Sequence, residues 1–135
     1  MVIDIIFKDS FIIGVERVVD MRLDKVREIL DADILVGEEF IDLEVVSACG
    51  SDLMSDVLAF VKDQTLLLTG LINPQVVRTA EMMDIRVIVF VRGKVPGKEI
   101  VQLAKEKDMV LLTTKYPLYT ACGLLYSAGL HTKEV

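Results

Sequence analysis

Between residues 65 and 130, short apolar runs alternate with longer segments in which apolar positions recur every three or four residues. The runs are TLLLTG at 65–70, IRVIVFV at 85–91 and MVLLTT at 109–114. Runs of this kind, rich in Val, Ile and Leu, are typical of strands buried on both faces of a parallel sheet. The pattern therefore predicts a single α/β domain with a mainly parallel β-sheet flanked by helices.

The segments outside these runs predict the remaining elements. Helices are predicted near 22–31, 52–61, 74–83, 96–107 and 117–129, and further strands at 32–37, 43–49 and, as a short pair or hairpin, 2–7 with 11–15. Ser51 is a natural N-cap, and Asn73 followed by Pro74 is a typical helix start. In the second helix, an apolar stripe is expected to face the core: Leu53, Met54, Val57, Leu58 and Val61.

The last predicted helix, 117–129, has almost no polar face. A helix that is apolar on every side must be covered on every side, and in a chain of 135 residues a second subunit is the expected cover. We therefore predict a homodimer. Its predicted interface residues are Leu118, Tyr119, Cys122, Leu125 and Tyr126.

Composition and charge exclude several classes of partner. The formal net charge is −6 and the pI about 4.7, whereas nucleic-acid binding needs a concentrated basic face and anionic membranes attract basic segments. Hydrophobic residues make up 53% of the chain, yet no apolar run reaches the ~20 residues of a membrane helix. The N-terminal segment does not have the pattern of a signal peptide, because Asp4 and Lys8 interrupt its apolar stretch. We expect a cytoplasmic protein.

Few residues offer catalytic or metal chemistry. Cys49 and Cys122 fit a reduced protein, and one histidine, His131, leaves too few ligands for zinc. Cys49 is either a nucleophile without a nearby histidine base or a small buried hydrophobe. We therefore expect no catalytic residue, no metal and no tightly bound cofactor.

A ligand site is expected beyond the carboxyl ends of the parallel strands, where α/β sheets bind ligands. Those ends are TGLINPQ, RGKVPGKE and TTKYP. The second segment follows a strand and precedes a helix, as a P-loop does, but has three residues between its glycines and Glu99 in place of Ser or Thr. It remains either an anion-binding helix start or a turn with solvated lysines. Asn73 is likewise either a ligand contact or only an N-cap. The candidate ligand-binding residues are Thr69, Gly70, Asn73, Arg92, Gly93 and Thr114.

Read together, SACGSDLMSDVLAFVKDQTLLLTGLINPQVVRTAEMMDIRVIVFVRGKVP and LAKEKDMVLLTTKY resemble the stand-alone members of the DRTGG domain family. The resemblance extends over roughly Met21 to Leu130, and the fold also resembles the N-terminal domain of HPr kinase/phosphorylase. Residues 21–135 are thus interpreted as a DRTGG-like domain. Residues 1–20 are interpreted as an N-terminal extension or as extra strands.

The resemblance implies a non-catalytic regulatory domain that senses a ligand, self-associates, or docks an enzyme partner. A small anion or nucleotide at the strand ends is the implied ligand, and a metabolic or redox enzyme, such as an iron–iron hydrogenase, is the implied partner. The alternative is an enzyme of phosphoryl-transfer type related to HPr kinase. That alternative needs a metal-binding carboxylate and a base at the strand ends, for which Asp52 and Glu99 are the candidates.

Overall fold

The computed structural model describes residues 20–60 and 64–131, which alternate between strands and helices. The predicted strands at 2–7 and 11–15, and Val61 of the predicted apolar stripe, lie outside the described residues. The strands are β1 (Met21–Arg22), β2 (Asp33–Val36), β3 (Glu44–Val45), β4 (Ser47–Gly50), β5 (Thr65–Thr69), β6 (Val87–Phe90) and β7 (Val110–Thr113). The helices are α1 (Leu23–Leu30), α2 (Met54–Phe60), α3 (Pro74–Met82), α4 (Lys98–Glu106) and α5 (Leu118–Ser127), with a 3₁₀ turn at Glu38–Phe40.

Five strands form one mainly parallel sheet in the order β2-β7-β6-β5-β4. Strands β4, β5, β6 and β7 run parallel to one another, while β2 pairs antiparallel with β7. Every residue of β5 and β6 is buried, as the continuous apolar runs predict for central parallel strands. The predicted fold class is confirmed. The carboxyl ends of the four parallel strands consequently meet at one edge of the sheet.

The sheet is covered by helices on both faces. Because side chains alternate along a strand, Leu66 and Leu68 of β5 pack with α1 and α5, whereas Leu67 packs with α2, α3 and α4. Each face therefore has its own buried cluster. The helices contribute the apolar faces that their periodicity predicts, for example Val76, Val77 and Ala80 of α3.

Two local predictions are wrong. The single strand predicted at 43–49 is two strands, because the chain leaves a small antiparallel pair with β1 and joins the main sheet after Val46. In the second helix, Leu53 and Leu58 are 59% and 45% exposed, so they do not face the core, whereas Val57 is fully buried. Helix α2 begins at Met54, later than predicted, which leaves Leu53 in the preceding turn.

Helix α5 is only partly covered by its own chain. Leu125 is 1% exposed within the core, so its predicted place in a subunit interface is wrong. Leu118 and Cys122 are half-buried against the same cluster, while Tyr119 is 91% and Tyr126 59% exposed. Among the described residues, no helix combines the length and apolarity that crossing a bilayer requires.

Candidate ligand-binding site

Backbone hydrogen bonds connect the loops that follow the parallel strands. The Val91 amide donates to the Thr69 carbonyl at 3.0 Å, and the Ser51 amide donates to the Leu68 carbonyl at 3.0 Å. The Gly93 amide donates to the Thr114 carbonyl at 2.8 Å. The loops after β4, β5, β6 and β7 thus form one continuous border, here called the strand-end rim (residues 51–53, 70–73, 91–97 and 114–117).

Arg92 lies at the centre of the strand-end rim in a tight turn. The turn is closed by a hydrogen bond from the Lys94 amide to the Val91 carbonyl at 3.2 Å. Its central residues Arg92 and Gly93 have φ values of 60° and 68°, and positive φ at both central positions is characteristic of a type I′ turn. The Arg92 amide also donates to the Tyr116 carbonyl at 2.8 Å. The position of Arg92 is therefore fixed by its neighbours, although a non-glycine residue rarely adopts this conformation.

The guanidinium of Arg92 lies directly against Gly70. A Cβ built on Gly70 would collide with Nη2 of Arg92 and would lie 2.9 Å from Cζ. Glycine at the end of β5 therefore leaves the space that the guanidinium occupies. Within residues 20–60 and 64–131, no carboxylate approaches Arg92 within ion-pair distance. Its side chain is exposed, and its positive charge is available to a ligand.

Asp52 is the rim residue that the sequence did not single out as a ligand contact. Its Oδ1 atom accepts hydrogen bonds from the Gly70 amide at 2.6 Å and from the Thr69 hydroxyl at 3.1 Å. The preceding Ser51 hydroxyl accepts a hydrogen bond from the Leu53 amide at 3.0 Å, which orders the turn that carries Asp52. The one sequence signal was its position directly after Gly50-Ser51 at a strand end.

The other predicted ligand residues take different roles. Thr69 is fully buried, and its hydroxyl donates a hydrogen bond to Asp52. Thr69 therefore orients the Asp52 carboxylate and is not itself accessible to a ligand. Asn73 is exposed and occupies the predicted N-cap position of α3, although its side chain makes no capping hydrogen bond. The Thr114 hydroxyl donates to the Leu30 carbonyl at 2.7 Å inside the core. At the rim, the Thr114 carbonyl accepts from the Gly93 amide, and its hydroxyl also accepts a hydrogen bond from the Tyr116 amide at 3.3 Å.

Positive charge predominates along the strand-end rim and the start of α4. Lys94, Lys98 and Lys115 are exposed there together with Arg92, against the carboxylates of Asp52 and Glu99. The Lys94 carbonyl accepts a hydrogen bond from the Thr113 hydroxyl at 2.7 Å, which attaches this loop to the end of β7. In a chain of net charge −6, four cations at one edge make a local anion-attracting surface.

The two cysteines lie beside the rim in half-buried positions. Burial raises the pKa of the Cys49 thiol, and the nearby Cys122 and Asp56 raise it further. Burial also raises the pKa of the Cys122 thiol. A raised thiol pKa disfavours the reactive thiolate, which supports the interpretation of Cys49 as a small buried hydrophobe.

Clusters of metal-ligating side chains and clefts are the other features that could mark a site in the described part of the chain. No group of three His, Cys, Asp or Glu side chains among residues 20–60 and 64–131 is arranged to hold a metal ion. One shallow cleft runs along α1, and another lies between β3 and the amino ends of β5 and β6. Neither of these two clefts reaches Arg92.

The chain matches no family model and no curated protein sequence. It is similar to the solved structure of the CBS and DRTGG domains of the regulatory region of Clostridium perfringens pyrophosphatase, complexed with the activator diadenosine tetraphosphate. The TM-score is 0.65 at 20% sequence identity. The fold is DRTGG-like. The match covers 77% of this chain but 45% of that one, and at this identity it establishes the fold alone.

Proposed function

We propose that this protein is a regulatory domain that binds a small phosphorylated ligand, such as a nucleotide, at the strand-end rim. The observation that carries the proposal is Arg92, a guanidinium fixed in a strained turn and paired with no carboxylate among the described residues. Strained backbone of this kind tends to occur at functional sites. The DRTGG-like fold supports the proposal, because the similar structure is a regulatory region complexed with a nucleotide activator.

Gly70 provides a test that leaves Arg92 itself in place. Gly70→Ala puts a methyl group where the guanidinium lies, so the side chain must move off the rim. We expect titration calorimetry with ATP, ADP and pyrophosphate to show binding by the wild type, without any requirement for magnesium. The Gly70→Ala affinity should be about ten-fold weaker, which corresponds to ~1.4 kcal/mol.

The matched control for this experiment is Gly97→Ala. Gly97 lies at the far end of the loop after β6, and a Cβ there would meet nothing within 4 Å, so the Gly97→Ala protein should bind with wild-type affinity. Equal binding by Gly70→Ala and wild type would contradict the assignment of the site. Magnesium-dependent turnover of the nucleotide would instead favour the phosphoryl-transfer enzyme.

The proposed domain acts as a homodimer whose ligand state is read by an enzyme partner, of the metabolic or redox class that the family resemblance implies. Helix α5 supports the dimer, because it contains no charged residue and exposes Tyr119 and Tyr126 on one side. These tyrosines are seven residues apart, which places them on the same helix face. Gly123 lies between them, and a Cβ there would meet nothing within 4 Å, so a second helix has room to approach.

Tyr119→Glu is expected to convert the dimer to a monomer. The substitution places a charge in the centre of an apolar interface, and a copy of the same helix would bring a second negative charge opposite it. Light scattering after size-exclusion chromatography measures the change. Met82→Glu is the control, since Met82 is 67% exposed on α3, on the other face of the sheet. A wild type that is monomeric at every concentration would refute the dimer.

A further inference from the structure

In the described structure, the carboxylate of Asp52 is held by hydrogen bonds to only one of its two oxygen atoms. Both of its hydrogen bonds, from the Gly70 amide and the Thr69 hydroxyl, end on Oδ1. No residue within 20–60 and 64–131 donates a hydrogen bond to its other oxygen, Oδ2. The Asp52 side chain is exposed at the strand-end rim. Oδ2 is therefore a hydrogen-bond acceptor without a donor among the described residues, on an exposed side chain beside the proposed anion site.

Asp52 and Arg92 contact the same residue but do not pair with each other. Asp52 accepts the Gly70 amide, and the Arg92 guanidinium lies against the Cα of Gly70. Nevertheless, the two opposite charges are not within the 4 Å that defines an ion pair in the described structure. The two hydrogen bonds on Asp52 hold its carboxylate, and the type I′ turn holds the backbone of Arg92.

We infer that the ligand carries a hydroxyl group close to its anionic group, and that Asp52 Oδ2 accepts a hydrogen bond from that hydroxyl while Arg92 binds the anion. This inference rests on the proposed function, and it names the ligand class as a hydroxylated phosphate ester such as a ribose phosphate. A simple anion would be repelled by Asp52, whereas an added hydroxyl turns that carboxylate into an attractive contact. An ammonium group is a poorer donor here, because Lys94, Lys98 and Lys115 lie along the same rim.

Carboxylates at the strand ends of other α/β folds bind ribose hydroxyls in the same chemical way. In this chain the carboxylate follows β4 and the cation follows β6, with β5 between them in the sheet. The ligand would therefore lie across the end of β5, over Gly70. This placement fits the glycine at position 70, because a Cβ there would collide with the Arg92 guanidinium.

Asp52→Asn is the direct test, because asparagine keeps Oδ1 for Gly70 and Thr69 but replaces Oδ2 by a donor. The probes are adenosine monophosphate and its dideoxy analogue, which lacks the ribose hydroxyls, with inorganic phosphate as a third ligand. We expect the wild type to bind adenosine monophosphate about ten-fold more tightly than the dideoxy analogue, as one hydrogen bond to a charged acceptor provides. Asp52→Asn should abolish that preference and bind inorganic phosphate at least as tightly as the wild type.

Asp56→Asn is the matched control, since it removes an exposed carboxylate that lies inside α2, four residues after Asp52, and should keep the ten-fold preference. A preference retained in Asp52→Asn would overturn the inference. Equal wild-type affinity for both nucleotides would also overturn it, and this measurement needs no variant to fold. If the wild type binds adenosine monophosphate and its analogue equally, the proposed function survives and only the hydroxyl contact fails. If it binds none of the three probes, the proposed function fails too.

Discussion

Arg92→Gly is expected to give a protein that is more stable than the wild type and no longer binds the proposed phosphorylated ligand. Arg92 has a φ of 60°, a conformation that costs a residue with a Cβ roughly 1 kcal/mol or more and costs glycine almost nothing. Glycine also makes the unfolded chain more flexible, which offsets part of the gain. Because Arg92 is exposed and makes no ion pair among the described residues, its removal breaks little. The net increase in the free energy of unfolding should be about 0.5 kcal/mol.

Arg92→Ala separates the two effects. Alanine removes the guanidinium but retains a Cβ in the same left-handed conformation, so ligand binding should be lost without any gain in stability. Urea unfolding measures the stability of each variant, and titration calorimetry measures its affinity for the ligand. We expect both variants to weaken binding by at least about 30-fold, since a charge-assisted contact to phosphate contributes roughly 2 kcal/mol. Loss of stability in Arg92→Gly, or undiminished affinity in Arg92→Ala, would contradict the assigned role.

A strained arginine that the fold can spare fits the proposed role of Arg92 in ligand binding. Asn, Asp and Gly are the residues that ordinarily occupy a type I′ turn. An arginine there gives up stability and gains a cation held at the end of a central strand. The strand-end rim also connects several loops through backbone hydrogen bonds, so a ligand held there would stabilise more than its own contact residues. Stabilisation of several loops by one ligand would suit the proposed regulatory role.

The sequence alone predicts the sheet and the location of the rim because buried parallel strands leave an unambiguous pattern. The runs at 65–70, 85–91 and 109–114 contain β5, β6 and β7 within their limits, and each is followed by the loop that carries rim residues. Helix starts at prolines and glycines are equally visible, as at Pro74 and Gly97. These signals are local, and each is read within a few residues.

Contacts between distant strands cannot be read in the same way. The role of Asp52 depends on β4 lying beside β5, and apolar runs do not encode the order of strands in a sheet. Thr113 and Thr114 illustrate a second limit: they are adjacent, but one hydroxyl bonds to Lys94 at the rim and the other to Leu30 in the core. Only the three-dimensional packing of α1 against the end of β7 distinguishes them. The exposed Leu53 and Leu58 show that an apolar residue near a helix is not always on its buried face.

Gly37→Ala is expected to cause the largest loss of stability of the substitutions considered. Gly37 has a φ of 92° at the end of β2, which disfavours any side chain. A Cβ there would also lie 2.9 Å from the Met109 carbonyl oxygen and 3.0 Å from the Val110 Cα. These contacts are with backbone, so no rotamer change can relieve them. Strain of about 1 kcal/mol and overpacking of about 1–3 kcal/mol together predict a loss of roughly 2–4 kcal/mol.

Chemical denaturation with Gly97→Ala as the reference measures this effect. Gly97 has an extended backbone with a φ of −75°, and its Cβ would meet open space, so alanine should change the free energy of unfolding by less than about 0.5 kcal/mol. Gly37 is far from the strand-end rim, because β2 runs antiparallel to β7 and ends beside Met109 at the amino end of β7. At a low temperature at which it remains folded, the Gly37→Ala protein should therefore bind the ligand with wild-type affinity. Equal stability of the two alanine variants would contradict the close approach of Gly37 to Met109 and Val110. A weaker ligand affinity in Gly37→Ala alone would show that the β2–β7 edge of the sheet influences binding at the rim.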